Sequence, residues 1–366
     1  MQDMIFPLVH ENDKARQIAA MLSESIPGVS PDIITPQLCI YDSFFVRYER
    51  PDYKVYAGMY CYDRIKNVLP RDEFTVKSGD NLLAAYYYNC SDARGLVILA
   101  HGFHAGADDY LPLIEAIVNR GYSVITYDVT GTYSSKGDSI IGMCQSLIDL
   151  DNVLNYVKSS KQFMTMPKLL IGHSWGGYAV SSALALHTDI KACVCLAPIN
   201  DGTVILDNNV EKHVPDDKEL LKLFKHILRK YQQYLFGDYV KYNGVIGINS
   251  TKAHVLIAQG VDDTIVTPTR ESITAHLDEI TNPNVTLYHG TGYQGSHTGI
   301  WHSDEAEAYK KELEATIRAR EVEIGGKLPY EELVSLYSNV DHRLISDVNT
   351  ELIDLIIETF DKGIAN

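Results

Sequence analysis

The run Leu169-Leu170-Ile171-Gly172-His173-Ser174-Trp175-Gly176-Gly177-Tyr178-Ala179 constrains this chain more than any other stretch. An apolar, strand-like segment ends in Gly-His-Ser-Trp-Gly, and a helix rich in small residues begins at once. So sharp a strand-to-helix turn holds its serine in a strained backbone conformation, with the hydroxyl clear of the sheet. Glycine is needed at 172 and 176, because a Cβ there would crowd the approach of strand to helix. The helix N-terminus behind Ser174 brings backbone N–H groups and a positive dipole end to where an oxyanion would form. Ser174 is therefore a candidate nucleophile. The alternative is a glycine-rich turn that happens to contain a serine.

On either side of this turn, apolar runs alternate with helical ones. Phe74–Lys77 and Leu82–Tyr88 read as strands joined through Ser78-Gly79-Asp80-Asn81, a hairpin signal. Gly95–Ala100, Tyr122–Tyr127, Ala192–Leu196, Ala253–Ala258 and Val285–Tyr288 read as buried strands, with helices at Tyr110–Asn119 and Gly142–Lys158. Strands separated by helices imply an α/β fold, a mostly parallel sheet with crossover helices on both faces.

The alternation breaks between residues 201 and 250, where a strongly amphipathic helix stands in place of one crossover. Asp216-Asp217 can cap its start and Gly237 can close it. Leu220, Phe224, Ile227, Leu228, Tyr231 and Leu235 fall on one stripe; Lys218, Lys222, Lys225, Arg229 and Lys230 fall opposite, as a solvated face. A long insertion above the carboxyl ends of a parallel sheet is where a lid sits, so 201–250 is expected to be a helical cap. Its residues Phe224, Ile227 and Tyr231 are expected to wall an acyl pocket. The expected core is 71–200 with 251–320. Residues 1–70, with one helix from Asp13 to Ser25 and then a Pro-punctuated, Tyr-rich segment, form an N-terminal extension packing on it. Residues 321–366 form a C-terminal helical appendage whose stripe of Val348, Leu352, Leu355, Ile356 and Phe360 suits docking on the core or, less well, a dimer surface.

Composition narrows the partners. The 366 residues carry a net charge of −16 with no long basic block, which argues against nucleic acid, since phosphate binding needs a positive footprint. No apolar run approaches membrane-spanning length, and the start of the chain lacks the basic-then-apolar form of a signal peptide. Six scattered cysteines without CxxC pairs fit reduced thiols in the cytoplasm.

A serine needs a base to take its proton and a third group to orient that base. Strand 255–258 runs into a loop carrying Asp262 and Asp263, and the last strand is followed by His289, His297 and His302. In this order and setting the chain resembles the α/β-hydrolase superfamily over about residues 72–320, closest to its capped esterases, monoacylglycerol-lipase-like enzymes and serine aminopeptidases. The resemblance implies that Asp263, in Gly260-Val261-Asp262-Asp263-Thr264-Ile265-Val266, is the acid and that His297, in Gly295-Ser296-His297, is the base. It implies an oxyanion hole from the backbone N–H groups of Phe103, in His101-Gly102-Phe103, and Trp175. His101 would then anchor its loop. Asp128-Val129-Thr130-Gly131-Thr132-Tyr133-Ser134 matches a further family loop that shapes the site. A rival reading of His101, His104, Asp108 and Asp109 as zinc ligands has the right residue types, but the strand-then-loop placement already accounts for them. No metal or cofactor is expected.

The resemblance leaves the substrate open. Trp175 stands where many lipid-cleaving relatives have Met or Gln, and the cap carries acids (Glu211, Asp216, Asp217, Glu219) of the kind aminopeptidase relatives use to hold an α-amine. The first expectation is a serine hydrolase cleaving a small or medium acyl ester. The second is an aminopeptidase or amidase acting on a small amide. The third is a non-catalytic binding protein, which the full set of serine, acid and histidine disfavours.

Overall fold

A computed structural model describes residues 13–56, 61–213 and 217–365. Helices α1 (Asp13–Ser23), α2 (Pro31–Phe44) and the short α3 (Tyr62–Ile65) precede the sheet. Strands β1 (Asp72–Ser78), β2 (Asn81–Tyr88) and β3 (Leu96–Ala100) lead to α4 (Leu111–Asn119), β4 (Ser123–Tyr127) and α5 (Gln145–Ser159). Then come β5 (Lys168–His173), α6 (Trp175–Ala183), β6 (Ala192–Leu196), α7 (Gly202–His213), α8 (Lys218–Phe236) and α9 (Gly244–Asn249). The chain closes with β7 (His254–Gly260), β8 (Val285–Gly290), α10 (Asp304–Ile324), α11 (Tyr330–Ser338) and α12 (Thr350–Ala365).

The eight strands form one sheet in the order β1-β2-β4-β3-β5-β6-β7-β8. β1 pairs antiparallel with β2, and β2 with β4; the remaining pairings are parallel. Every residue of β3, β4, β5 and β6 is buried. Strands covered on both faces must be apolar almost throughout, which is why Leu-Val-Ile-Leu-Ala and Ala-Cys-Val-Cys-Leu read as continuous runs. One face packs on α5 and α6, with Leu150, Leu154, Tyr178 and Val180 among its buried side chains; the other packs on α4 and α12. The expected α/β-hydrolase architecture is present.

Three features differ from the expectation. Residues 31–44 form α2 although Pro36 lies inside it. The boundary at 320/321 falls within α10, although the expected docking of the C-terminal stripe on the core is present: Leu352, Ile356 and Phe360 are fully buried against the sheet, where α12 packs on β6 and β7. Within 201–250, α9 lies on α6, with Gly247 against the Ser181 carbonyl, so the segment outside the sheet-covering layer is α7–α8.

The α8 stripe is formed as its pattern requires. Asp217 caps the start, its side chain accepting from the Glu219 and Leu220 N–H groups, and Gly237 closes the end at φ +55°. Asp216 lies outside the described residues. The stripe packs on the N-terminal helices: the Tyr231 hydroxyl donates to Asp42 (2.8 Å), and the Tyr231 ring meets Tyr41 of α2 edge-on at 5.1 Å. The opposite face is not purely solvated. Lys225 pairs with Glu211 and Arg229 with Asp207, both acids on α7.

Candidate active site

β5 ends at His173, and Ser174 follows at φ 57°, ψ −112°, a conformation rarely tolerated outside glycine. It survives because the turn is fixed from both sides. The Ser174 N–H donates to the Leu196 carbonyl of β6 (2.8 Å), and α6 starts at the next residue. A Cβ on Gly172 would strike the Gly176 carbonyl, and one on Gly176 would strike the Ala100 carbonyl of β3. Both glycines are therefore required by close backbone approach.

The ends of β7 and β8 bring two further groups to Ser174. His297 Nε2 lies 2.9 Å from Ser174 Oγ, and His297 Nδ1 lies 2.7 Å from Asp263 Oδ2. Asp263 is turned inward by its own loop: Oδ1 accepts the N–H groups of Ile265 and Val266, and Oδ2 also accepts from Gln259. Burial pushes this carboxyl up, but the hydrogen bond and charge of His297 and the two backbone donors outweigh it and hold it below the usual carboxylate range. Its neighbour Asp262 lies against Gly295 instead. Of the other histidines, His289 is exposed on β8, and His302 is buried with Nδ1 on Glu307 (2.8 Å). With Nδ1–H held by Asp263, the His297 Nε2 lone pair faces the serine hydroxyl, the arrangement that can take its proton.

The loop after β3 runs beside the serine. Among the described residues the Phe103 and Trp175 backbone N–H groups donate to no acceptor within the chain, as oxyanion donors require. His101 anchors this loop: Nδ1–H donates to the Gly102 carbonyl (2.8 Å), and Nε2 accepts the Val129 N–H (2.9 Å). Burial holds His101 neutral, its pKa lowered to about 4. Asp128 ties the same loop to the next one, accepting from the Ala107 and Ser134 N–H groups and the Tyr86 hydroxyl. Asp108 pairs with Arg50 and Arg71, and Asp109 accepts from Tyr133 and the Gly106 N–H; His104 stacks on Tyr48. The four side chains weighed as zinc ligands are thus committed separately.

The expected pocket walls are placed differently from one another. Ile227 and Tyr231 are buried, Tyr231 against Tyr41 and Asp42 of α2, whereas Phe224 is half-buried. What reaches the site is α2 and the segment after it. Phe45 meets Phe103 edge-on at 5.7 Å, and Phe103 meets Trp175 edge-on at 5.4 Å. The Arg47 guanidinium donates to the carbonyls of Tyr133, Ser135 and Gly137, and Arg50 reaches Ser134 as well as Asp108. Sequence reading missed these residues, whose partners lie 58 to 90 positions away. The one local signal was two arginines flanking a tyrosine in an otherwise Tyr-rich segment. A cavity of about 910 Å³ between this segment and the β1–β2 edge, lined by Arg50, Tyr62, Arg71 and Tyr86 among others, contains none of Ser174, Asp263 and His297.

Residues 91–234 match the model of the serine aminopeptidase S33 family. The chain is 28% identical over 160 residues to 2-hydroxy-6-oxononadienedioate/2-hydroxy-6-oxononatrienedioate hydrolase 1 of Pseudomonas putida, covering 42% of this chain and 52% of that one. It therefore spans about half the length of that relative. In structure it is similar to the Pyrococcus furiosus esterase Pf2001. One crystal form gives a TM-score of 0.50 at 17% identity, covering 72% of this chain and 95% of the esterase. Another gives 0.51 at 16% identity, covering 76% and 97%. Identities this low speak for the fold alone. Sheet order, elbow geometry and these matches agree on the α/β-hydrolase fold.

Proposed function

We propose that this protein is a serine hydrolase that cleaves a carboxylic ester through an acyl-enzyme on Ser174. The observation that carries the reading is the continuous contact from Asp263 Oδ2 through both nitrogens of His297 to Ser174 Oγ. In this mechanism Ser174 Oγ attacks the ester carbonyl as His297 Nε2 takes its proton, and Asp263 stabilises the imidazolium that forms. The developing oxyanion is received by the Phe103 and Trp175 N–H groups, each such donor contributing about 2.7–4 kcal/mol in the transition state. His297 returns the proton to the departing alkoxide. Water then repeats the sequence on the acyl-enzyme and releases the acid. The half-buried Phe224, with Phe45 and Phe103, is the proposed apolar lining for the acyl group, and α7–α8 together with α2 the proposed cap. The chain needs no cofactor in this scheme. Six free thiols fit a reducing, cytoplasmic compartment, and no helix among the described residues is long and apolar enough to cross a membrane.

The family match favours a second reading, an aminopeptidase or amidase. Against it stands the condition of the cap acids. Glu211 is paired with Lys225 and Arg270, Asp207 with Arg229, Glu219 with Lys222, and Asp217 caps α8, so each of these carboxylates is already engaged. Asp207 is buried and already paired, which makes it a poor anchor for a substrate ammonium, whereas Glu211, Asp217 and Glu219 are exposed on the surface.

Two measurements test the proposal. Ser174→Ala should lose a factor of order 10⁴ or more in kcat while remaining folded; wild-type rates from that variant would end it. A panel of acyl esters against aminoacyl amides should show faster ester cleavage. Preference for the amides would transfer the assignment to the second reading.

A further inference from the structure

His173 does more than precede the nucleophile. Its Nε2–H donates to the backbone carbonyl of His297 (3.0 Å), and its Nδ1 accepts the hydroxyl proton of Tyr110 (2.8 Å). The Tyr110 oxygen in turn accepts the Gly102 N–H (2.9 Å), one residue before the oxyanion donor Phe103. Three hydrogen bonds therefore run in one direction, from the oxyanion loop through Tyr110 and His173 to the loop that carries His297. Each group in this chain has its partner, and only the tautomer with the proton on Nε2 satisfies all three. The packing admits no slack. Gly102 has Tyr110 Oη and His173 Nδ1 where a Cβ would come within 3.0 and 3.2 Å, and Tyr110 stacks on Trp301, four residues past His297.

We infer that His173 and Tyr110 are positioning residues, which hold the base loop and the oxyanion loop in register with Ser174. The inference rests on the serine-hydrolase reading above. Burial keeps the His173 imidazole neutral, with its pKa lowered to about 3, and the His297 charge acts in the same direction. Neutrality suits the task. The two rings lie 4.9 Å apart, and a charged His173 would oppose the imidazolium that forms on His297 during the reaction. Removing the Tyr110 hydroxyl leaves the Gly102 N–H and His173 Nδ1 both buried and unpaired, which frees the two loops to shift relative to the serine. A shift of about 1 Å between reacting groups can cost about 10²-fold in rate.

The test compares wild type, Tyr110→Phe, His173→Gln and the double variant. Folded enzyme is counted by fluorophosphonate titration of Ser174, and rates are measured on a nitrophenyl ester. Tyr110→Phe should lower kcat per titrated site by about 10- to 100-fold with KM within about threefold. Affinity for a trifluoromethyl ketone that forms a tetrahedral adduct should fall with kcat. His173→Gln keeps an N–H donor near the Nε2 position but takes away the ring nitrogen that accepts from Tyr110, so the double variant should fall no further than the worse single one. A kcat per titrated site within threefold of wild type in both single variants would overturn the inference while the serine-hydrolase reading stood. Strictly multiplicative losses in the double variant would overturn it too. If wild-type enzyme is not labelled at Ser174, both readings fall together.

Discussion

Asp262 and Asp263 are adjacent and chemically identical, yet only one meets the histidine. Asp263 is selected by backbone geometry: its Oδ1 closes a turn on the Ile265 and Val266 N–H groups, which aims Oδ2 at His297. In the proposed mechanism Asp263→Asn presents the wrong hydrogen-bonding atom to Nδ1 and should lower kcat by about 10⁴-fold. Asp262→Asn should leave kcat within a few-fold, and steady-state kinetics on one ester reads both. Gly176→Ala belongs to this scale as well. Its Cβ would meet the backbone carbonyl of Ala100, which cannot move without disturbing β3, so denaturant unfolding should show a loss of at least about 1–3 kcal/mol. The sequence made these residues legible because each follows a strand end within a short, recognisable pattern. His173 and Tyr110 were not legible as a pair: their contact spans 63 positions, and neither sits in a pattern that names its partner.

At the scale of elements, strands were easier to place than the helices that cover them. Continuous apolar runs bounded by turn residues identify buried strands with little help from context. α2 escaped notice because Pro36 ordinarily ends a helix, lacking an N–H and crowding the preceding turn. Here Pro31 opens the helix, and Ile34, Leu38 and Tyr41 are buried against α1 and α8, so tertiary contact sustains what local propensity opposes. The apolar stripe of α8 was legible, but not its destination. A stripe announces that it must be buried, and the amino acids do not say against what. The structure separates its residues by experiment. Ile227→Ala should destabilise by about 2–5 kcal/mol, read by thermal or urea unfolding, with acyl-chain preference unchanged. Phe224→Asp should raise KM for longer esters more than for acetate. If Ile227→Ala alters chain-length preference at constant stability, α8 lines the pocket more deeply than its contacts with α2 allow.

Taken as a whole, the molecule encloses titratable groups whose effects on stability oppose each other. Below about pH 6.5 the unfolded chain protonates His101, while the native protein leaves it neutral until about pH 4. Through that interval the unfolded state binds more protons, so acidification costs stability, at up to about 1.4 kcal/mol per pH unit for one group. His173, with its pKa near 3, acts in the same sense over a wider range. Asp149 acts the other way. Burial raises its carboxyl to about 6 despite the hydrogen bonds from Ser78, Thr130 and Gln145, so the native protein takes up a proton that the unfolded chain accepts only near 3.8. Acidification from pH 6 to 3.8 therefore adds stability through Asp149, and Asp109, also raised to about 6 by burial, contributes likewise. The test is the pH slope of urea-unfolding free energy, taken as a difference from wild type so that exposed groups cancel. His101→Gln should gain stability relative to wild type as pH falls from 6.5 to 4, and Asp149→Asn should lose it from 6 to 3.8. Parallel slopes for His101→Gln and wild type would mean that native His101 protonates near its ordinary pKa, and the anchoring of the loop after β3 by a neutral imidazole would have to be abandoned.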